Sequence, residues 1–412
     1  MGRARLLGRP FALCAAANFT QELSFHLFVH LPAHLERLGA GEAEIGWIWS
    51  IAAIAGLLCR IPIGRVMDAR GRRIVFVLGG LLNAVACPLY LTAHAIGPWI
   101  YVIRLVHGLA GAMLFTALFT YAADHTPAER RTEGLALFGA TGMLALAFGG
   151  TLGDAILSRL AFSALFVTAA VLALVSLAIS LALREGPRAP ARGPGRVLAV
   201  IGQAGLLPLW WLAVVVAAAL EALFAFTKIF IEATGYGSAG GFFGAYALAA
   251  ITLRLVFGSL PDRIGPRRVL LPALVSLAAG FAMLAWARDT TDVIVAGTRC
   301  GLGHGYVFPI VFGLVITRAS AAARGAAVAS CVAFFDVGAL IGGPVFGHLA
   351  ENQGHADMFR AAALSVIASG AIFMIWDRRR AVAREPQDPA AGDVRAEEGE
   401  ESPRGSPPGR SA

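Results

Sequence analysis

The sequence predicts an all-α membrane protein, with twelve transmembrane helices in two pseudo-symmetric six-helix bundles. Two observations lead there. The 412 residues are 57% hydrophobic and 15% charged, with a mean hydropathy of +0.70, whereas soluble domains carry about 25% charge. A charged turn, Gly64 to Arg73, is set between two apolar runs and returns as Gly258 to Arg268, so Asp68 and Asp262 stand 194 positions apart (262 − 68). A soluble core would leave large apolar patches in water. Arginines in short gaps between apolar runs follow instead from membrane topology. The net charge of +8 has the same origin, so the expected surroundings are a lipid bilayer and not nucleic acid.

A membrane helix needs roughly 20 mostly apolar residues. Such runs lie near 10–32, 44–66, 74–95, 99–122, 134–157, 161–183, 207–231, 239–260, 269–287, 292–316, 326–349 and 356–377. The first follows Arg3, Arg5 and Arg9 like a secretory signal, but it runs past signal length and carries Glu22 and His26, so a first membrane helix is expected. The segment 184–206, with Arg184, Arg188, Arg192, Arg196, Pro187, Pro190 and Pro194, predicts a basic linker between halves 1–183 and 207–377. The tail 378–412 has almost no large apolar residues, so it cannot bury enough surface to order itself.

Alternate gaps differ in arginine content. One side gathers the N-terminus, both charged turns, Arg130, Arg131, the linker, Arg318, Arg324 and Arg378 to Arg380. The other has Arg37, Arg159, Arg288 and Arg360. By the positive-inside rule both termini and the linker are expected in the cytoplasm. Other pairs repeat the offset: Arg60 with Arg254, Arg104 with Arg299 one residue further on, and Gly149–Gly153 with Gly343–Gly347. Parallel repeats about the membrane normal, with a solute site between them, characterise one large class of secondary transporters.

Charged groups inside a membrane helix cost about 2.5–3.5 kcal/mol at its centre and are functional candidates by default. In the first run, Asn18, Glu22, His26 and His30 recur every four residues and share a helix face. Desolvation disfavours a charged carboxylate and histidine titrates near neutral pH, so Glu22 and His26 are candidate proton carriers. A buried Glu–His pair that only fixes packing is the plainer reading, and a metal site lacks further ligands. In the seventh run Glu221 and Lys228 lie seven apart, with Glu232 one turn on. Lys228 is expected to hold an anionic solute group, to pair with Glu221 or Glu232 as a gate, or to snorkel; His30 joins this substrate-or-gate set. Asp336, in Phe334-Phe335-Asp336, is a second proton-site candidate or a helix–helix hydrogen bond. Asp68 and Asp262 are expected to pair with arginines or cap helix ends. Cys14, Cys59, Cys87, Cys300 and Cys331 lie within apolar runs with no metal or disulfide spacing. No phosphate-binding Gly-Lys-Ser/Thr loop exists. No cofactor, metal or enzymatic activity is expected.

The charged turn resembles the signature of the major facilitator superfamily. Gly64, Asp68, Gly71, Arg72 and Arg73 fit it, with Ala69 where arginine is usual; Gly258, Asp262, Arg263, Gly265, Arg267 and Arg268 form the second copy. Arg104, Gly108, Gly111 and Ala112 resemble the family's fourth-helix motif, whose arginine is linked to proton coupling. The fifth-helix glycine run resembles the antiporter motif, although Gly150 replaces its proline and Pro344 carries one in the other half. The resemblance, over about residues 10–380, implies a monomeric secondary transporter in the cytoplasmic membrane working by alternating access. The expected activity is proton-coupled efflux of a small polar or amphiphilic solute. Proton-coupled uptake of an organic acid or sugar is the alternative, and a receptor or assembly factor is the reading outside transport.

Overall fold

The computed structural model describes residues 8–127, 131–185, 200–320 and 323–382. The expected linker character of 186–199 and the expected disorder of the tail from 383 onward lie outside these residues, as do Arg3, Arg5 and Arg130; residues 378–382, expected to begin the disordered tail, are helical. The described chain is helical throughout.

The first predicted run divides into α1 (Arg9–His26), a 3-10 turn (Leu27–His30) and α2 (Leu31–Arg37). Pro32 is the cause: it has no N–H for the carbonyl of Phe28, and its ring crowds that carbonyl. The expected single helix over 10–32 is therefore corrected to a broken one reaching Arg37. The remaining helices are α3 (Glu42–Arg70), α4 (Arg72–Leu89), α5 (Pro98–Asp124), α6 (Arg131–Leu157), α7 (Phe162–Leu181), α8 (Leu207–Thr234), α9 (Ala239–Phe257), α10 (Leu260–Ile264), α11 (Pro266–Ala285), α12 (Thr290–Arg318), α13 (Arg324–Gln353) and α14 (His355–Val382). Caps set several starts. The Ser238 hydroxyl accepts from Gly241 N–H, and Asp289 accepts from Asp292 N–H. Glu42 and Glu44 complement the helix dipole at the start of α3.

Eleven of these helices are long and apolar enough to cross a membrane. The first is not among them, because Asn18, Gln21, Glu22, Ser24 and His26 lower its hydropathy. It is shielded instead, packed between α6 and α7. Two seams join the helices before residue 186 to those after residue 199: α3 lies along α13, and α6 along α9. Each seam is the image of the other under the sequence repeat.

The α3–α13 seam is close because it is made of small residues. A Cβ on Gly46 or on Gly343 would collide with the backbone of the other, and one on Gly347 would meet Glu42. One apolar core, from Leu27 through Trp210 to Phe373, crosses between the halves. A second, around Phe11, Phe76, Leu118 and Tyr121, stays within the first half.

Candidate functional site

At the arginine-poor end, a chain of alternating charges crosses the interface. Asp154, near the end of α6, is its centre. Its Oδ1 accepts from Lys228 Nζ at 3.2 Å and from His30 Nε2 at 3.0 Å, and its Oδ2 accepts from the Gly240 backbone N–H at 2.6 Å. Lys228 also meets Glu232 at 3.3 Å, and Arg37 approaches Glu232 at 4.0 Å. On the second seam Glu351 accepts from Ala43 N–H at 2.8 Å, and His355 lies 3.2 Å from Glu42. The glycine run of α6 makes this approach possible. A Cβ at Gly149 would strike His26, one at Gly153 would strike the His30 ring, and one at Gly150 would press on the backbone of Ala239 and Gly240.

Nearer the middle of the bundle sit three further groups. Glu22 and His26 form an i,i+4 couple at 3.6 Å, with both side chains about one-fifth exposed. His26 Nδ1 donates to the Glu22 carbonyl at 2.7 Å. Asp336 on α13 receives Arg60 of α3 across the interface, with Nη2 at 2.6 Å and Nε at 3.2 Å. Arg104 is 2% exposed and lies 4.6 Å over the Trp49 ring. Among the described residues, its Nε and Nη1 have no hydrogen-bond partner. Glu221, from the other half, lies near Arg104 and within hydrogen-bonding reach of Trp49.

The helical stripe read from the sequence keeps one face along α6 but reaches two depths. Asn18 donates to Thr141, Glu22 and His26 face the interior, and His30 is carried by the 3-10 turn into the Asp154 cluster. Lys228 forms the expected pair with Glu232 and a further one with Asp154; among the described residues it forms none with Glu221. Asp154 was missed although it directly follows the glycine run, as an acid inside an apolar span. Arg60 was noted only as a repeat marker. Arg299 is exposed on α12, unlike Arg104.

The charged turns depart from expectation. Asp68 and Asp262 are both exposed, and among the described residues neither forms an ion pair. Other acids do that work. Glu185 accepts from the backbone N–H groups of Arg72 and Arg73 at 2.9 and 3.0 Å, and Asp124 meets Arg72 at 2.8 Å. In the second half Asp377 meets Arg267 and Arg318, each at 2.7 Å. Gly71 and Gly265 turn the chain at φ of 93° and 96°, a region that favours glycine. A Cβ at Gly64 would meet nothing within 4 Å. Arg263 and Arg268 are exposed, as is Gly258 between α9 and α10.

The sequence model of the Major Facilitator Superfamily matches residues 11–330 and 237–407. The chain belongs to this superfamily. An uncharacterized MFS-type transporter of Pseudomonas aeruginosa (strain UCBPP-PA14) is 27% identical over 374 residues, covering 85% of this chain and 88% of that protein. The multidrug resistance protein MdtL of Klebsiella pneumoniae (strain 342) is 24% identical over 322 residues, covering 75% and 80%. Among solved structures, the nucleoside transporter NupG superposes with a TM-score of 0.75 at 14% identity, covering 90% of this chain and 99% of that one. The human organic anion transporter MFSD10 does so with a TM-score of 0.69 at 18% identity, covering 89% and 99%. These two likenesses show the fold. This major facilitator protein is a multi-pass membrane transporter, and its arrangement closes the halves together at the arginine-poor end.

Proposed function

We propose that this transporter exports a small polar or amphiphilic organic solute across the cytoplasmic membrane in exchange for protons. Both termini then face the cytoplasm, and the arginine-poor end faces outward. The reading rests on the Glu22–His26 couple. It is a titratable pair facing the interior of the bundle, with no lysine or arginine within ion-pair distance among the described residues. A carboxyl group so placed binds a proton from one side and surrenders it to the other as the halves rock, because its surroundings change with each swing.

The closed Asp154 cluster corresponds to the phase in which the interior communicates with the cytoplasm. Asp336 serves as a second exchangeable carboxyl when Arg60 withdraws, and Arg104 holds the field around Glu221. The multidrug assignment of the Klebsiella relative supports the outward direction.

The test is flux in proteoliposomes under an imposed pH gradient. Solute movement should follow the gradient in the antiport sense, and Glu22→Gln should abolish that dependence while leaving downhill exchange. Movement indifferent to the gradient would sink the coupling, and accumulation with the proton gradient would turn the reading to uptake.

A further inference from the structure

The two seams of the bundle are images of one another, but they are not charged alike. On the α3–α13 seam Arg60 is neutralised by Asp336 at 2.6 Å. The image of Arg60 on the α6–α9 seam is Arg254. The image of Asp336, by the same offset of 194 (336 − 194), is Gly142. Both seams carry the arginine, but only one carries its acid.

Arg254 is half-buried and has no acidic partner within ion-pair distance among the described residues. Its Nε donates to the Gly305 carbonyl at 3.1 Å. Its other neighbours are the Tyr246 hydroxyl, hydrogen-bonded to His304, and His304 itself. A cation held inside a membrane bundle without a counter-charge is costly. The paired image at Arg60 shows how the same fold relieves that cost when no ligand is needed.

The face of α6 beside Arg254 carries no side chain at two positions. A Cβ at Gly139 would meet nothing within 4 Å except Arg254 Nη1, at 3.8 Å. One turn along the same face, about 4.5 Å of rise, a Cβ at Gly142 would meet nothing except Glu22 Cγ, at 3.7 Å. A side-chain-free strip of α6 is therefore bounded by a guanidinium from one half and a carboxylate from the other.

We infer that Arg254 and Glu22 are the two poles of a binding site for a small zwitterionic solute, with its carboxylate on Arg254 and its protonated amine on Glu22. The guanidinium fork suits a carboxylate, which supplies the anion that Gly142 does not. The amine and the transported proton then compete for Glu22, so loading of one releases the other. The inference rests on the proposed reading of the interior as the solute path, but it needs no pH gradient to be tested.

The experiment is a thermal-shift titration of the purified full-length protein with the proteinogenic amino acids. Each is run beside its methyl ester, which lacks the carboxylate, and its N-acetyl derivative, which lacks the amine. At least one amino acid should raise Tm, and both of its derivatives should bind about tenfold more weakly or worse, the scale of one lost charge-assisted hydrogen-bonded pole. Arg254→Gln should lose the response. Gly139→Asp, which places a carboxylate beside Arg254, should lose it too and should itself raise Tm. No response to any amino acid, or esters that bind as well as their parents, overturns the site. So does a Gly139→Asp protein that still responds. Proton-coupled export of some other solute alongside that result would leave the proposed function standing and remove only this inference.

Discussion

The two ends of the interface are held in different ways. At the arginine-poor end the contacts run between halves: Asp154, itself held by His30, with Lys228 and Gly240, Arg37 with Glu232, and Glu42 and Ala43 with His355 and Glu351. At the arginine-rich end they run within halves: Arg72 with Asp124, Arg73 N–H with Glu185, and Asp377 with Arg267 and Arg318. Among the described residues, no hydrogen bond or ion pair between halves lies closer to that end than Arg60–Asp336. The same kinds of residue thus latch the halves together at one end and stiffen each half separately at the other. Alternating access requires such a difference, because only one end can be closed at a time. It also tells which charges to remove in order to move the halves, and which to remove in order to weaken one of them.

Asp154→Ala should have the largest effect. It leaves Lys228 with Glu232 alone, removes the carboxylate from the fully buried His30 and frees the Gly240 N–H. Removing one partner of a buried ion pair costs about 3–5 kcal/mol, enough to shift a two-state equilibrium by more than a hundredfold. Spin labels at the arginine-poor ends of α6 and α9 should report a longer distance in the variant. An unchanged distance distribution would show that the glycine seam alone keeps this end shut.

Much of this frame was legible in the sequence. The apolar runs, the arginine asymmetry and the repeat follow from patterns that the bilayer itself imposes. The pairings were not, because each joins residues far apart in the chain. Nothing local to Asp336 announces Arg60, and nothing local to Arg267 announces Asp377. The helix-1 stripe keeps the face that helical periodicity gives it, meeting α6 from Thr141 to Gly153, but nothing local to His30 announces Asp154. Asp154 could have been found, for an acid after five residues containing three glycines inside an apolar span has few structural explanations.

Asp377→Asn should be the next largest change, and of a different kind. It leaves Arg267 and Arg318 facing a neutral amide, but Arg267 is 43% exposed and water compensates much of its share. A loss of about 1–3 kcal/mol, the cost of an unsatisfied buried partner, should appear as a lower Tm in thermal melts. The distance between α6 and α9 should stay at its wild-type value. A change in that distance would mean that the arginine-rich networks also set the position of the halves.

Asp68→Asn and Asp262→Asn should do least to stability, within about 0.5 kcal/mol, as for surface substitutions away from any network. Their smallness in melts is what makes them useful. Both acids stand at the end of the interface where, among the described residues, no hydrogen bond or ion pair joins the halves, on the side that must close in the opposite phase of the cycle. An acid without an ion-pair partner in one state and with an arginine facing it in the other contributes only to the second. Transport by the two variants should therefore slow while Tm holds. Asp262→Asn should slow it more, since Arg263 beside it keeps the arginine that Ala69 lacks beside Asp68. Equal rates for wild type and both variants would confine the turns to fixing the loop between helices. A fall in Tm that tracks the fall in rate would place the two aspartates among the partners that hold each half together.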